Sequence, residues 1–294
     1  MGRGDEEYRK SLRGYYDSHS SVYDATYTGE GRYRSNHFRL QVTLNLLETE
    51  APPPLRLLDA GCGNGRVLAE VMRRGYECRG IDSSRQMLAE ARATLERNSH
   101  DPSVVEEGDI YDLSFPPGSF DVILCLGVLS NLPDHGRILR GFSRVLGRGG
   151  ILIASMDNDL FSLYSRNEHT LQFLRTLWEG IGVPADARDR ALSSLGSRPA
   201  VAGASKGKVM EDREIDKSGV EIPRYSPLNI HGSWAAFGFR VDAIRFYHYH
   251  PLPPAFEAEY PSLFREFAEG LETTDYDWRG AVLCNAMVVL ARKA

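Results

Sequence analysis

The stretch Leu57–Arg66, LLDAGCGNGR, places Gly61, Gly63 and Gly65 directly behind an apolar run. Glycine at that density costs chain entropy, so the backbone there must turn sharply or be approached closely. An apolar strand, a glycine turn and the start of a helix leave backbone N–H groups unpaired at the positive end of the helix dipole. Anionic ligand groups settle at such points. The segment therefore demands a strand–turn–helix unit, and the rest of the chain must supply strands to flank it.

It does so by alternation. LRLLDA (55–60) reads as a short buried strand, and GRVLAEVMRRG (65–75) as a helix closed at Gly75. YECRGID (76–82) is strand-like. SSRQMLAEARATLERN (83–98) opens on a serine cap and repeats apolar positions at helical spacing. SVVEEGD (103–109) reads as a third strand. FDVILCLGVL (120–129) is nearly continuous in apolar residues, as in a central strand covered on both faces. DHGRILRGFSRVLGRGG (134–150) reads as a helix that stops at glycine, and ILIASMD (151–157) as a fifth strand. Such alternation predicts an α/β domain with a parallel sheet and right-handed crossovers.

Residues 1–54 read as a mostly helical N-terminal cap, ended by the prolines of APPP (51–54). After Asp157 the rhythm breaks. NEHTLQFLRTLWEGIGVP (167–184) predicts a helix ending before Pro184, and 197–224 a mobile loop or hairpin excursion rich in Gly, Ser, Lys and acid. A strand is expected from about Phe239, and a last one in AVLCNAMVVLARK (281–293). The expected fold is α/β, a Rossmann-like seven-stranded and mostly parallel sheet with helices on both faces. Residues 55–294 are expected to form one domain whose insertions, at about 158–224 and 250–280, act as a lid.

The 294-residue chain carries a formal net charge of −5, with basic residues scattered in no cluster denser than a pair such as Arg73–Arg74. Phosphate binding needs clustered cations, so nucleic acid is not expected as the main partner. Cys62, Cys78, Cys125 and Cys284 form no CxxC pair and read as reduced, mostly buried thiols. His248 and His250 share a strand face without a third ligand, so no metal is expected. The charged MGRGDEEYRK start leads into no signal-peptide segment, and no apolar run reaches membrane-span length. A cytoplasmic protein with no membrane partner is the expectation.

Three ligand classes use a glycine turn of this kind. A P-loop needs Gly-x-x-x-x-Gly-Lys-Ser/Thr, and no lysine follows here. A dinucleotide turn needs Gly-x-Gly-x-x-Gly, but Gly65 comes one residue early and Arg66 stands in its place. Asp59, at the strand's end, would repel a diphosphate and accept hydrogen bonds from an ammonium group. A zwitterionic amino-acid ligand satisfies both halves, and S-adenosylmethionine carries one. Two later acids end strands: Asp82 in GIDSS is placed to take ribose hydroxyls, and Asp109 in EEGDI to accept from an adenine amino group. An NAD(P)-dependent oxidoreductase of the same fold is the alternative, as is a protein that binds S-adenosylmethionine without catalysis.

Taken in order, LLDAGCGNGR, GIDSS, GDIYDLSFPPGSFDVILCLGVLSNLPD and LGRGGILIAS are similar to the motifs of the class I S-adenosylmethionine-dependent methyltransferases of small-molecule type, over roughly 55–157 and more weakly in the final strands. The resemblance implies S-adenosyl-L-methionine as cofactor. It implies Asp59, Gly61 and Gly63 along the methionine part, Asp82 at the ribose with Ser83 beside it, and Asp109 with Ile110 at adenine. Leu126 and Gly127 fall near the sulfonium. The tyrosine-rich GYYDSHSSVYDATYTGEGRYR (14–34), with Tyr15, Tyr16, Tyr23, Tyr27 and Tyr33, is similar to the cap preceding the first strand in many such enzymes. There the helix covers the cofactor, which makes Tyr16 and Arg34 candidates for its carboxylate. Asn131 stands where many relatives carry histidine.

The expected activity is methyl transfer to oxygen or nitrogen of a small polar metabolite, with a sugar or natural-product intermediate in view. Alignment can supply much of the rate, and a base helps where the acceptor begins protonated. His169 in NEHT and His231 in LNIHGS are the candidate bases. Asp275, Asp277, Trp278 and Arg279 in TTDYDWRG are candidates to wall a polar pocket.

Overall fold

A computed structural model describes residues 3–20, 35–165, 168–180, 182–196, 220–254, 257, 259–272 and 278–294. In chain order the helices and strands begin with α1 (Arg3–His19), α2 (Ser35–Glu50), β1 (Arg56–Ala60), α3 (Arg66–Arg73), β2 (Glu77–Asp82), α4 (Arg85–Arg97), β3 (Val105–Glu107), β4 (Phe120–Cys125), α5 (His135–Val145) and β5 (Leu146–Asp157). There follow α6 (Phe161–Ser165), α7 (Glu168–Gly180), α8 (Ala185–Gly196), α9 (Ile230–Ala235), β6 (Phe239–Tyr249), α10 (Pro261–Glu272), α11 (Gly280–Leu283) and β7 (Cys284–Lys293). The chain divides into two compact units, one of 1–157, 213–245 and 287–294, the other of 158–212 and 246–286.

The strands form one seven-stranded sheet in the order β3-β2-β1-β4-β5-β7-β6. The pairs β1–β2, β1–β4, β2–β3 and β4–β5 are parallel. β1 and β4 are buried along almost their whole length, and Leu57, Leu58, Val122, Ile123 and Leu124 have no exposed surface. That burial explains their near-continuous apolar sequence, because a central strand is covered on both faces.

One boundary differs from the sequence reading. The helix starting after Asp134 ends at Val145, and LGRGG opens β5 rather than stopping the helix. Leu146 is drawn into the sheet by pairing with Phe120, and a register shift between Phe120 and Val122 takes up the glycine-rich stretch. Glycine in a strand commonly marks such a bulge.

The second unit is mostly helical. Asn158 binds its start to its end: its side-chain amide donates to the carbonyls of Ala281 and Cys284, both at 2.9 Å. Phe161, Leu192, Phe264, Ala268 and Cys284 are buried there. The segment 197–219 and residues Tyr23, Tyr27, Tyr33, Arg34, Asp275 and Asp277 lie outside the described residues. All four cysteines are free and buried. Among the described residues no helix is long and apolar enough to cross a membrane.

Candidate cofactor site

The chain runs outward from β1 through β2 to β3, then returns to place β4 on the other side of β1. Ligands of open α/β sheets bind where the strand order reverses in this way, beyond the strands' C-terminal ends. Gly61 follows β1 at that point with φ of +87°. A Cβ there would come within 2.5 Å of Val128 Cγ2, in the loop after β4. Only glycine lets these two loops meet.

The turn is fastened to the end of β2. The N–H groups of Gly61 and Cys62 donate to the Ile81 carbonyl at 2.8 and 3.0 Å. The Asp82 carboxylate accepts from the N–H of Gly63 and of Ser84, both at 2.9 Å. Asp82 therefore shapes the turn through bonds of its own. Burial raises its carboxyl above the usual range, and these N–H donors oppose the rise. Ser84 caps α4 by accepting from the Met87 N–H at 3.1 Å.

Three residues of helix α1 fasten it beside the turn. The Tyr8 hydroxyl donates to the Asn131 carbonyl at 3.0 Å. Arg9 donates to Asp109 at 3.3 Å and lies 4.5 Å above the Tyr111 ring. Asp17, toward the other end of the helix, accepts from the Ser84 hydroxyl at 2.6 Å. Arg9, Leu12, Arg13 and Tyr16 then line a cavity of about 520 Å³. Their spacing is that of one helix face.

The same cavity brings together most of the residues singled out from the sequence. Gly61, Gly63, Asp82 and Ser83 line it, as do Asp109, Ile110, Leu126, Gly127 and Tyr16. Asn131 lines it as well, and its amide donates to the Gly127 carbonyl at 3.3 Å. Asp59 does not line it. That residue is buried in β1 with 2% exposure, and its Oδ2 has no hydrogen-bond partner among the described residues. Burial, with help from the charge of Asp82, pushes the Asp59 carboxyl up to about 7, and Arg39 opposes the rise. Arg34 lies outside the described residues.

His231 is exposed on α9 and does not line the cavity, and His169 is exposed on α7 of the second unit. Trp278 and Arg279 are exposed too. Arg39 is the residue that the motifs did not mark. Its guanidinium is seated against Gly127, in the space a side chain there would fill, and Gly127 has φ of +74°. A single arginine in the run HFRLQ carries no motif; only the placing of α2 gives it meaning. Arg9 and Arg13 did carry a signal, their helical spacing from Tyr16.

The cavity, the bare turn and the buried acid suit a ligand with a nucleoside at one end and a zwitterion at the other. Strand order and turn together define a Rossmann-like α/β domain with its site at the reversal of the sheet. Residues 58–154 match the methyltransferase domain family, and over this third of its length the chain is similar to the class I S-adenosylmethionine-dependent methyltransferases. The cofactor of that class is S-adenosyl-L-methionine.

The chain is 38% identical over 102 residues to trans-aconitate 2-methyltransferase of Deinococcus radiodurans, a match covering 34% of this chain and 37% of that one. It is 32% identical over 107 residues to a ubiquinone biosynthesis O-methyltransferase of Sodalis glossinidius, covering 35% and 41%. The chain thus spans about two fifths of the length of these relatives. In fold it is similar to a chain of the Haloferax volcanii complex between the Trm112 methyltransferase activator and a methyltransferase. That likeness has a TM-score of 0.57 and 14% identity, covering 95% of this chain and 97% of that one.

Proposed function

We propose that the protein transfers a methyl group from S-adenosylmethionine to oxygen or nitrogen of a small polar metabolite. The observation that carries this reading is the convergence of Gly61, Gly63, Asp82, Asp109 and Gly127 on one cavity at the reversal of the sheet. When bound, the cofactor supplies a methyl carbon made electrophilic by positive sulfur.

The chain's own residues bind, orient and enclose. Gly61 and Gly63 admit the amino-acid end by leaving the backbone bare. Asp82, already fixed by two N–H donors, has acceptor capacity left for ribose hydroxyls, with Ser83 beside it. Asp109 and Ile110 flank the base, and Leu126 and Gly127 lie toward the reacting end. Tyr16 and Arg39 are assigned to the ligand carboxylate, and Arg34 stays a candidate for the same task. α1 excludes water, which strengthens every charge interaction inside.

The two insertions, about 158–224 and 250–280, are assigned to acceptor binding. His169 and His231 are carried as candidate bases for an acceptor that begins protonated; a neutral amine needs neither. One relative is named for O-methylation in ubiquinone biosynthesis and the other for trans-aconitate, so oxygen acceptors are the first to test. A cytoplasmic location and a small-molecule partner, rather than nucleic acid or membrane, complete the proposal.

Calorimetry against S-adenosylhomocysteine and NAD tests the cofactor. Tight NAD binding with no response to S-adenosylhomocysteine would sink the reading. Labelled-methyl transfer to a panel of hydroxy acids, phenols, sugars and amines then identifies the acceptor. Labelled donor that transfers to none of them would leave a binding protein.

A further inference from the structure

Asp59 has chemistry that the glycine turn does not use. It sits two residues before Gly61 with 2% exposure and an oxygen that has no hydrogen-bond partner among the described residues. Among the described residues its electrostatic neighbours are Asp82 at the end of β2, Arg39 on α2, and the thiols Cys62, Cys78 and Cys125. Burial pushes all three thiols far above the range in which they ionise at neutral pH. Arg39 is the one cation in this set, and its guanidinium is seated at Gly127. An ionised Asp59 would leave a buried carboxylate with an unsatisfied oxygen near a second acid. Burying such a charge costs more than neutralising it.

We infer that Asp59 carries a proton in the ligand-free protein and gives it up when a ligand brings an ammonium group to the glycine turn. The carboxyl O–H bond breaks with its electron pair staying on oxygen, and the proton leaves to solvent; nothing is oxidised or reduced. This rests on the reading of the site given above. Since binding expels a proton, loss of protons must in turn favour binding by the same factor.

The test is calorimetry of the full chain with S-adenosylhomocysteine at pH 6, 7 and 8, in pairs of buffers that differ in ionisation enthalpy. For a group that titrates near 7 when free, release is expected to be about 0.9 proton at pH 6, about 0.5 at pH 7 and about 0.1 at pH 8. Affinity is expected to be about tenfold weaker at pH 6 than at pH 8. Asp59→Asn should bind without proton release and with a flat pH dependence. 5′-Methylthioadenosine, which has the nucleoside and no amino acid, should bind the unaltered protein without release, so the inference is decided even if Asp59→Asn does not fold. S-adenosylhomocysteine binding with no release at pH 6 would overturn it, as would equal release by both ligands or by Asp59→Asn. No binding of S-adenosylhomocysteine at any of these pH values would overturn the reading of the site itself, and this inference with it.

Discussion

Each of the two units buries ionisable side chains with unsatisfied atoms, and the two differ in what surrounds them. In the first unit Asp59 has charged neighbours, Asp82 and Arg39, beside a turn open to a ligand cavity. In the second, His250 is 2% exposed and neither ring nitrogen has a hydrogen-bond partner among the described residues. Its ring packs 4.7 Å from Phe161, 4.7 Å from His248 and 5.3 Å from Phe264. Burial pushes His248 down to about 4 and lowers His250 as well, with His248 adding to the second effect. The inferred release of a proton on ligand binding gives the acid a use for its cost. The His250 imidazole is held neutral by burial against Phe161 and Phe264, and its cost falls on folding.

The signs are opposite. Asp59 is raised in the fold, so its contribution to stability is fully present below about pH 4 and is lost as pH rises through about 7. The histidines are lowered, so theirs is present above about pH 6.5 and is lost as pH falls toward 4.

Asp82→Ala probes the comparison most severely. It removes the acceptor of two N–H groups and the proposed ribose ligand together, and S-adenosylhomocysteine affinity is expected to fall at least about 100-fold by calorimetry. Unchanged affinity would mean the ribose contact is misassigned. Gly61→Ala drives a methyl group into Val128 at a strained φ, so chemical denaturation should show a loss of about 1–3 kcal/mol.

In the second unit, His250→Phe keeps an aromatic shape and removes both unpartnered nitrogens. It is expected to stabilise by about 1–3 kcal/mol, more at pH 5 than at pH 8, in denaturant titrations at the two values. An equal gain at both would show that titration of His250 contributes nothing, and the contrast with Asp59 would fail. Arg9→Ala should have the smallest effect. Its ion pair with Asp109 is partly exposed, so about 1 kcal/mol or less of stability and a few-fold of ligand affinity are at stake.

The first unit was largely legible in the chain because its chemistry is local. LLDAGCGNGR, GIDSS and EEGDI each sit where a strand ends, and a strand end fixes where the next side chains point. Ser84 as a cap was legible for the same reason, since a cap and the helix it serves are three residues apart. The end of α5 was not, because a glycine-rich stretch favours stopping a helix and a pairing between Phe120 and Leu146, distant in sequence, overruled it.

The sequence by itself determined the α/β rhythm, the bare turn and the acids at the ends of its strands, all of them properties of neighbouring residues. Tertiary structure alone decided that Arg39 would occupy the space at Gly127, that Asp59 would be shut away from solvent, and that Asp17 would reach Ser84. Those partners stand on separate elements. Periodicity shows which face of a helix is apolar, while packing decides what that face meets.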